Sequence, residues 1–236
     1  MSSTIKTYGM ILKISDTPGK DKLLRILTSD GLVSAFMTPK RNAGKKNYTI
    51  DLFTYGEIVL FKTDSGNYLV NSVLPEEIFY KIREDIVRLA AASYFASLVI
   101  NSANEPDVDC HHLLELLYVC FDKLSSGYNV KSLKAVFELK FSQLIGVEPC
   151  LVAEKKSNAY CFDIQDGRLY VRDVPNGFCL SRESVFSIYT ILKRSVKECF
   201  DCEIVGVDDV SQISENYIMY HTERAFDSLE FLKGVM

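Results

Sequence analysis

The sequence has no tryptophan and only three histidines, His111, His112 and His221. Histidine is the side chain best suited to proton transfer near neutral pH, so little material is available for general acid–base catalysis. Also missing are a glycine-rich phosphate loop, a Gly-x-Ser-x-Gly elbow and a His-Glu-x-x-His pair. Long apolar runs are absent. The longest, Leu89 to Ile100, is interrupted by Ser93 and Ser97 and falls short of the roughly 20 residues that cross a bilayer. The opening Met-Ser-Ser-Thr-Ile-Lys lacks the basic-then-apolar order of a secretory signal, so a cytoplasmic protein is expected. Seven cysteines, odd in number and irregularly spaced, fit reduced thiols in that compartment and not a disulfide framework.

What remains is an ordinary globular composition: 236 residues, 47% hydrophobic and 25% charged, enough for one or two domains. The charge is uneven. The first 75 residues carry ten Lys+Arg against six Asp+Glu, and the rest carry seventeen against 25. A basic front joined to an acidic rear predicts that an anionic partner meets the front.

The front reads as strands: Tyr8 to Ile14, Lys22 to Thr28, Leu32 to Met37, Tyr55 to Lys62 and Tyr68 to Leu74. Asp30-Gly31 supplies a tight hairpin, and Asp64-Ser65-Gly66-Asn67 supplies a turn. Five short strands with one long interruption after the third predict a small barrel of the oligonucleotide-binding type over residues 1–75. At Pro75 the period changes. Pro75-Glu76-Glu77 has the form of a helix start, proline first and carboxylates at the positive end of the dipole. Helices are expected from there to about Ser102, over Asp109 to Leu124, and over Val130 to Ile145. A β-hairpin insert follows at about 147–180, with strands Tyr160 to Ile164 and Arg168 to Arg172. Ser181 then caps a helix running to about Phe200, followed by helices at about Asp209 to Phe226 and Ser228 to Leu232. The fold class is therefore α+β: a barrel, then a helical domain over 76–236 carrying the insert.

The most informative polar stretch is Thr38 to Thr49. It sets Lys40, Arg41, Lys45 and Lys46 within seven residues without an acid, with Gly44 among them. Cations on a loop beside a five-stranded barrel match the way such barrels hold single strands, with a positive groove for phosphates and aromatic platforms for bases. Lys13, Lys22 and Arg25 on the strands extend this candidate nucleic-acid site, and Tyr8, Phe36, Tyr48 and Phe53 are the candidate platforms. The competing reading is a solvated loop with incidental lysines and aromatics packed in the core. Cys199-Phe200-Asp201-Cys202 has metal-ligand spacing but needs two further ligands, and neighbouring His111 and His112 point about 100° apart on a helix. A thiol or zinc enzyme centred on Cys199 and Cys202 is thus one alternative, and an RNA-binding or ribosome-associated barrel protein is another.

The order of parts is similar to a known family. Tyr8-Gly9-Met10-Ile11-Leu12-Lys13, then Asp21 to Thr28 and Gly31, resemble the bacterial recombination mediator RecO family. So do the basic loop with Phe53-Thr54-Tyr55-Gly56-Glu57, and Phe137-Glu138-Leu139-Lys140 followed by Leu144 to Pro149. The resemblance implies a non-enzymatic, nucleoid-associated mediator that does not engage a membrane. It would bind single- and double-stranded DNA, anneal strands, join RecR and contact the tail of single-stranded-DNA-binding protein to help load recombinase. Many members carry two Cys-x-x-Cys pairs in the insert. The corresponding positions here are Glu154 and Ser157, then Tyr170 and Asp173, so no zinc or other cofactor is expected. An acidic tail with an apolar end needs an apolar pocket and a cation. Lys134 and Lys140, with Val136, Phe137 and Leu139, are the candidates for that surface; the alternative is that they are plain bundle core.

Overall fold

In the computed structural model, the described residues are 3–18, 21–37, 50–152, 157–175 and 177–236. Five strands, β1 (Ser3–Asp16), β2 (Lys22–Thr28), β3 (Gly31–Met37), β4 (Tyr55–Lys62) and β5 (Tyr68–Glu77), close a barrel in the order β1-β2-β3-β5-β4. This is the order of an oligonucleotide-binding barrel. Closure comes from β1, whose 14 residues pair through one half with β4 and through the other with β2. At the crossover the backbones come so close that a Cβ on Gly9 would lie 2.7 Å from the Leu27 carbonyl oxygen, so only glycine fits. Ile11, Leu24, Ile26, Ala35, Ile58, Leu60, Val70 and Val73 fill the barrel.

The helices are α1 (Tyr80–Arg83), α2 (Ile86–Ser102), α3 (Cys110–Ser125), α4 (Val130–Leu144), α5 (Arg182–Lys193), α6 (Val207–Thr222) and α7 (Asp227–Val235). A three-stranded sheet of β6 (Ala159–Asp163), β7 (Arg168–Tyr170) and β8 (Phe178–Ser181), in the order β7-β6-β8, lies between α4 and α5. One core joins the outer face of the barrel (Met10, Leu12, Leu27, Phe53) to α2, α3, α7 and part of α4. A second lies between the small sheet, α5, α6 and the other side of α4. Every residue from Ser132 to Ser142 of α4 is buried. It is a central helix shared by two cores, not an amphipathic surface helix.

Four expectations are corrected. Pro75 does not begin a helix. Strand β5 continues through it to Glu77, since Leu74, Pro75 and Glu77 pair with Glu57, Gly56 and Tyr55. The chain turns only after Glu77, whose Oε1 accepts from the Ile78 and Phe79 amides at 3.0 and 2.9 Å. The long helix is instead capped by Asp85, which accepts from the amides of Val87 and Arg88. The insert has a third strand, β8, besides the expected hairpin. The helix begun at Ser181, whose Oγ does accept from the Ser184 amide, stops at Lys193, and a 3₁₀ turn at Glu198–Asp201 follows. Finally, α6 ends at Thr222, where Glu223 takes a left-handed backbone (φ 52°).

Candidate nucleic-acid interface

On β2, Leu24 and Ile26 point into the barrel, so Leu23, Arg25 and Leu27 point outward. A bulge between Ile11 and Lys13 in β1 resets the register there and pairs Lys13 with Arg25. Arg25 in turn pairs with Ser34 of β3. The outer face of β1, β2 and β3 therefore carries three successive rows. Met10, Leu27 and Leu32 lie under the helices. Lys13, Arg25 and Ser34 come next, and Ser15, Leu23 and Phe36 follow. Leu23 and Phe36 are half-buried and belong to none of the three cores.

The middle row is electrostatically unusual. Two cations stand directly opposite each other on paired strands, an arrangement that repels. Arg25 Nη1 donates to Ser34 Oγ at 2.7 Å, while its Nε is buried with no partner. Lys13 is exposed, and no carboxylate forms an ion pair with either side chain among the described residues. An anion held over this row would relieve the repulsion and meet the exposed Lys13 ammonium. Lys22, also exposed, ends β2 opposite Met37, the residue from which the 38–49 segment departs, with Asp16 across on β1. Lys62, which sequence reasoning missed, reaches the same end of the barrel and lies 5.6 Å over the Tyr68 ring. Its signal was a cation facing an aromatic across the Asp64–Asn67 turn. Lys40, Arg41, Lys45, Lys46 and Tyr48 lie outside the described residues.

Of the candidate platforms, Phe36 stands beside the cationic row. Phe53 does not serve: it is buried, with a left-handed backbone (φ 66°), and packs edge-on against Phe121 of α3 at 4.9 Å. Tyr8 is exposed but lies in the row of Glu57, and a hydrogen bond to Glu76 raises its pKa. Those carboxylates repel phosphates.

The expected partner surface on α4 is also overturned. Lys134 is fully buried, with Nζ 3.0 Å from Glu138 Oε1 and 2.9 Å from Glu215 Oε2. Glu138 also accepts from Tyr94 Oη (2.8 Å) and Ser214 Oγ (2.6 Å), and burial raises its pKa despite these partners. Lys140 donates to the Leu192 and Arg194 carbonyls at 3.1 and 2.6 Å, so it caps the end of α5, and burial lowers its pKa. Val136, Phe137 and Leu139 are core. Six residues apart on a helix, the two lysines point to different sides.

Only one member of the cysteine pair is enclosed: Cys202 is half-exposed and its sulfur accepts from Arg194 Nη1. Cys199 is buried, its thiol donates to the Ile191 carbonyl, and burial raises its pKa, the signature of an inert thiol. Among the described residues no three His, Cys, Asp or Glu side chains converge as a metal site. Of the insert positions where zinc ligands were considered, Ser157 and Tyr170 are no part of a thiolate–imidazole set, and the Tyr170 hydroxyl donates to Asp166 Oδ2. Neither Ser157 nor Tyr170 is of the residue types that hold zinc, and Glu154 lies outside the described residues. No described helix is long and apolar enough to cross a membrane.

Comparison with known proteins gives the family of the chain. Residues 83–230 match the family described as recombination protein O, C terminal. The whole chain is similar to proteins named DNA repair protein RecO. It is 27% identical to that of Alkaliphilus metalliredigens over 98% of this chain and 99% of the relative. It is 25% identical to that of Acetivibrio thermocellus over 97% and 96%, and 23% to that of Desulforamulus reducens over 96% and 93%. A family match over more than half of the chain, joined to end-to-end similarity that includes the barrel, leads to one conclusion: this chain belongs to the RecO family of DNA repair proteins.

Proposed function

We propose that this DNA repair protein is a non-enzymatic recombination mediator that binds DNA on its barrel, anneals single strands and, with RecR and single-stranded-DNA-binding protein, helps to load recombinase. The observation that carries the reading is the Lys13–Arg25–Ser34 row on the outer face of the barrel, with exposed Lys13 and half-buried Arg25 on the same sheet as Lys22, which pairs with Met37 at the start of the basic 38–49 segment. Cations neutralise phosphates and lower the repulsion between two strands; annealing needs no bond made or broken. Phe36 offers a stacking surface for a base. The test is the salt dependence of single-stranded DNA binding and annealing. Replacing Lys40, Arg41, Lys45 and Lys46 by alanine should weaken binding for every sequence and lower the log–log salt slope by about 0.7 for each phosphate no longer neutralised. An unchanged affinity and slope would reduce the segment to a solvated linker. Equal or tighter binding of RNA of the same sequence would favour the RNA-binding alternative. The reading includes no zinc: the purified protein should hold far less than one zinc per chain, and a chelator should leave its unfolding midpoint unchanged.

With α4 buried, an acidic, apolar-ended tail needs another seat. A groove of about 550 Å³ between α5 and the segment after it supports one. Phe186 and Val205 line it with more than half-exposed and half-exposed apolar surface, and Arg182 and Arg194 stand at its ends, beside Glu183 and Glu203. Phe186→Asp should weaken binding of the tail peptide and leave binding of naked DNA unchanged.

A further inference from the structure

Cys161 of β6 and Cys179 of β8 stand directly opposite each other on antiparallel strands. The hydrogen-bond pattern defines the kind of pair. The Arg182 amide donates to the Asn158 carbonyl, 3.2 Å away, in the same register. Antiparallel ladders alternate, so 160 with 180 and 162 with 178 are hydrogen-bonded pairs, and 161 with 179 is a non-hydrogen-bonded one. At such a site the Cα atoms lie about 4.5 Å apart with both side chains on one face, inside the range of about 4.4–6.8 Å that a disulfide spans. The two thiols differ in access. Cys179 is exposed and Cys161 is 4% exposed. The chain at Gly177 passes directly over Cys161, since a Cβ there would lie 2.2 Å from its Sγ. Among the seven cysteines, all free, no other two face each other on paired strands.

We propose that Cys161 and Cys179 form a reversible thiol–disulfide site whose oxidant is a hydroperoxide, with Cys179 reacting first and Cys161 resolving. The Cys179 thiolate attacks one peroxide oxygen; the O–O bond breaks, hydroxide leaves, and a sulfenic acid forms. The Cys161 thiolate then attacks the Cys179 sulfur; the S–S bond forms, the S–O bond breaks, and a second hydroxide leaves. With the two thiol protons this gives two waters for each hydrogen peroxide, the dithiol losing two electrons and the peroxide gaining them. Cys161 needs no access to the oxidant, because its partner carries the reactive sulfur to it. A disulfide across paired strands is of the labile kind that cellular dithiols reduce, as suits a transient bond in a reducing compartment.

The test treats the reduced full-length protein with hydrogen peroxide, digests it without reductant, and identifies linked peptides by mass. A single 161–179 linkage is expected, reversed by dithiothreitol and formed several-fold faster in the folded chain than in urea. Cys179→Ser, a change at an exposed position, should abolish it. Cys161→Ser should leave a sulfenic acid at Cys179 that a dimedone probe labels, while wild type labels weakly. Circular dichroism confirms that both variants fold. Linkage no faster in the folded chain than in urea, or equal dimedone labelling of Cys179 in wild type and Cys161→Ser, overturns the proposal.

Discussion

The cations of the barrel and those of α4 carry the same formal charge and have opposite physical situations. Lys13 and Arg25 face each other across two strands, and among the described residues no carboxylate forms an ion pair with either. Lys134 is enclosed by two glutamates, and Lys140 by the last carbonyls of α5. The first pair sets an exposed ammonium beside a half-buried guanidinium; the second has its charge met inside the protein. Charge on a sequence therefore says nothing about availability. What decides it is whether folding supplies the counter-charge, because a buried unpaired ammonium is too costly to persist, whereas an exposed one is merely solvated.

That contrast can be broken experimentally, and the largest effect is expected at Lys134. Lys134→Met leaves Glu138 and Glu215 without their shared cation and should cost about 3–5 kcal/mol in urea unfolding. Replacing Glu138 by leucine as well should recover part of it. A decrease in stability of less than about 1 kcal/mol would mean that the network is solvated and that α4 is more open than its packing implies.

On the barrel the expected pattern is reversed. Lys13→Ala with Arg25→Ala should change stability by no more than about 0.5 kcal/mol, yet lower the salt slope of single-stranded DNA binding by about 0.7 for each phosphate left without its cation. A drop in stability with an unchanged slope would make this row structural.

A third prediction sharpens the correction at the barrel–helix junction. Asp85→Ala removes the cap of α2 and should cost about 1 kcal/mol, whereas Pro75→Ala, within β5, should alter the helix content by circular dichroism not at all. A drop in helix content for the latter would restore Pro75 as a helix start.

The smallest effect concerns pH. Burial pushes the Glu215 carboxyl up, but Lys134 and Lys233 outweigh it and hold its pKa below the ordinary value of 4.5. A lowered carboxylate pKa contributes stability that is present above the unfolded value and lost as pH falls through the folded one. Glu215→Gln should therefore flatten the loss of stability below about pH 4.5. Glu138 has the opposite sign: its raised pKa opposes stability as pH rises past the ordinary value.

Local signals in the sequence determined much of the fold. The strands Lys22–Thr28 and Tyr55–Lys62 have the limits that alternation and turn residues predict, and Ser181 caps its helix as its side-chain chemistry requires. These depend on neighbours within a few residues. The fate of Pro75, of β8 and of the α4 lysines depended on partners far along the chain. β5 runs past Pro75 because β4 pairs with it. The four residues of β8 are too few for a period and become a strand only beside β6. Lys134 is buried because Glu215, from α6, arrives beside it. For the site, the sequence marked the cations Lys13 and Arg25, but only the pairing of β1 with β2, with its register shift between Ile11 and Lys13, set them in one row. Hydrophobic period and capping are written in adjacent residues, whereas pairing and charge compensation are properties of segments that meet only when the chain folds.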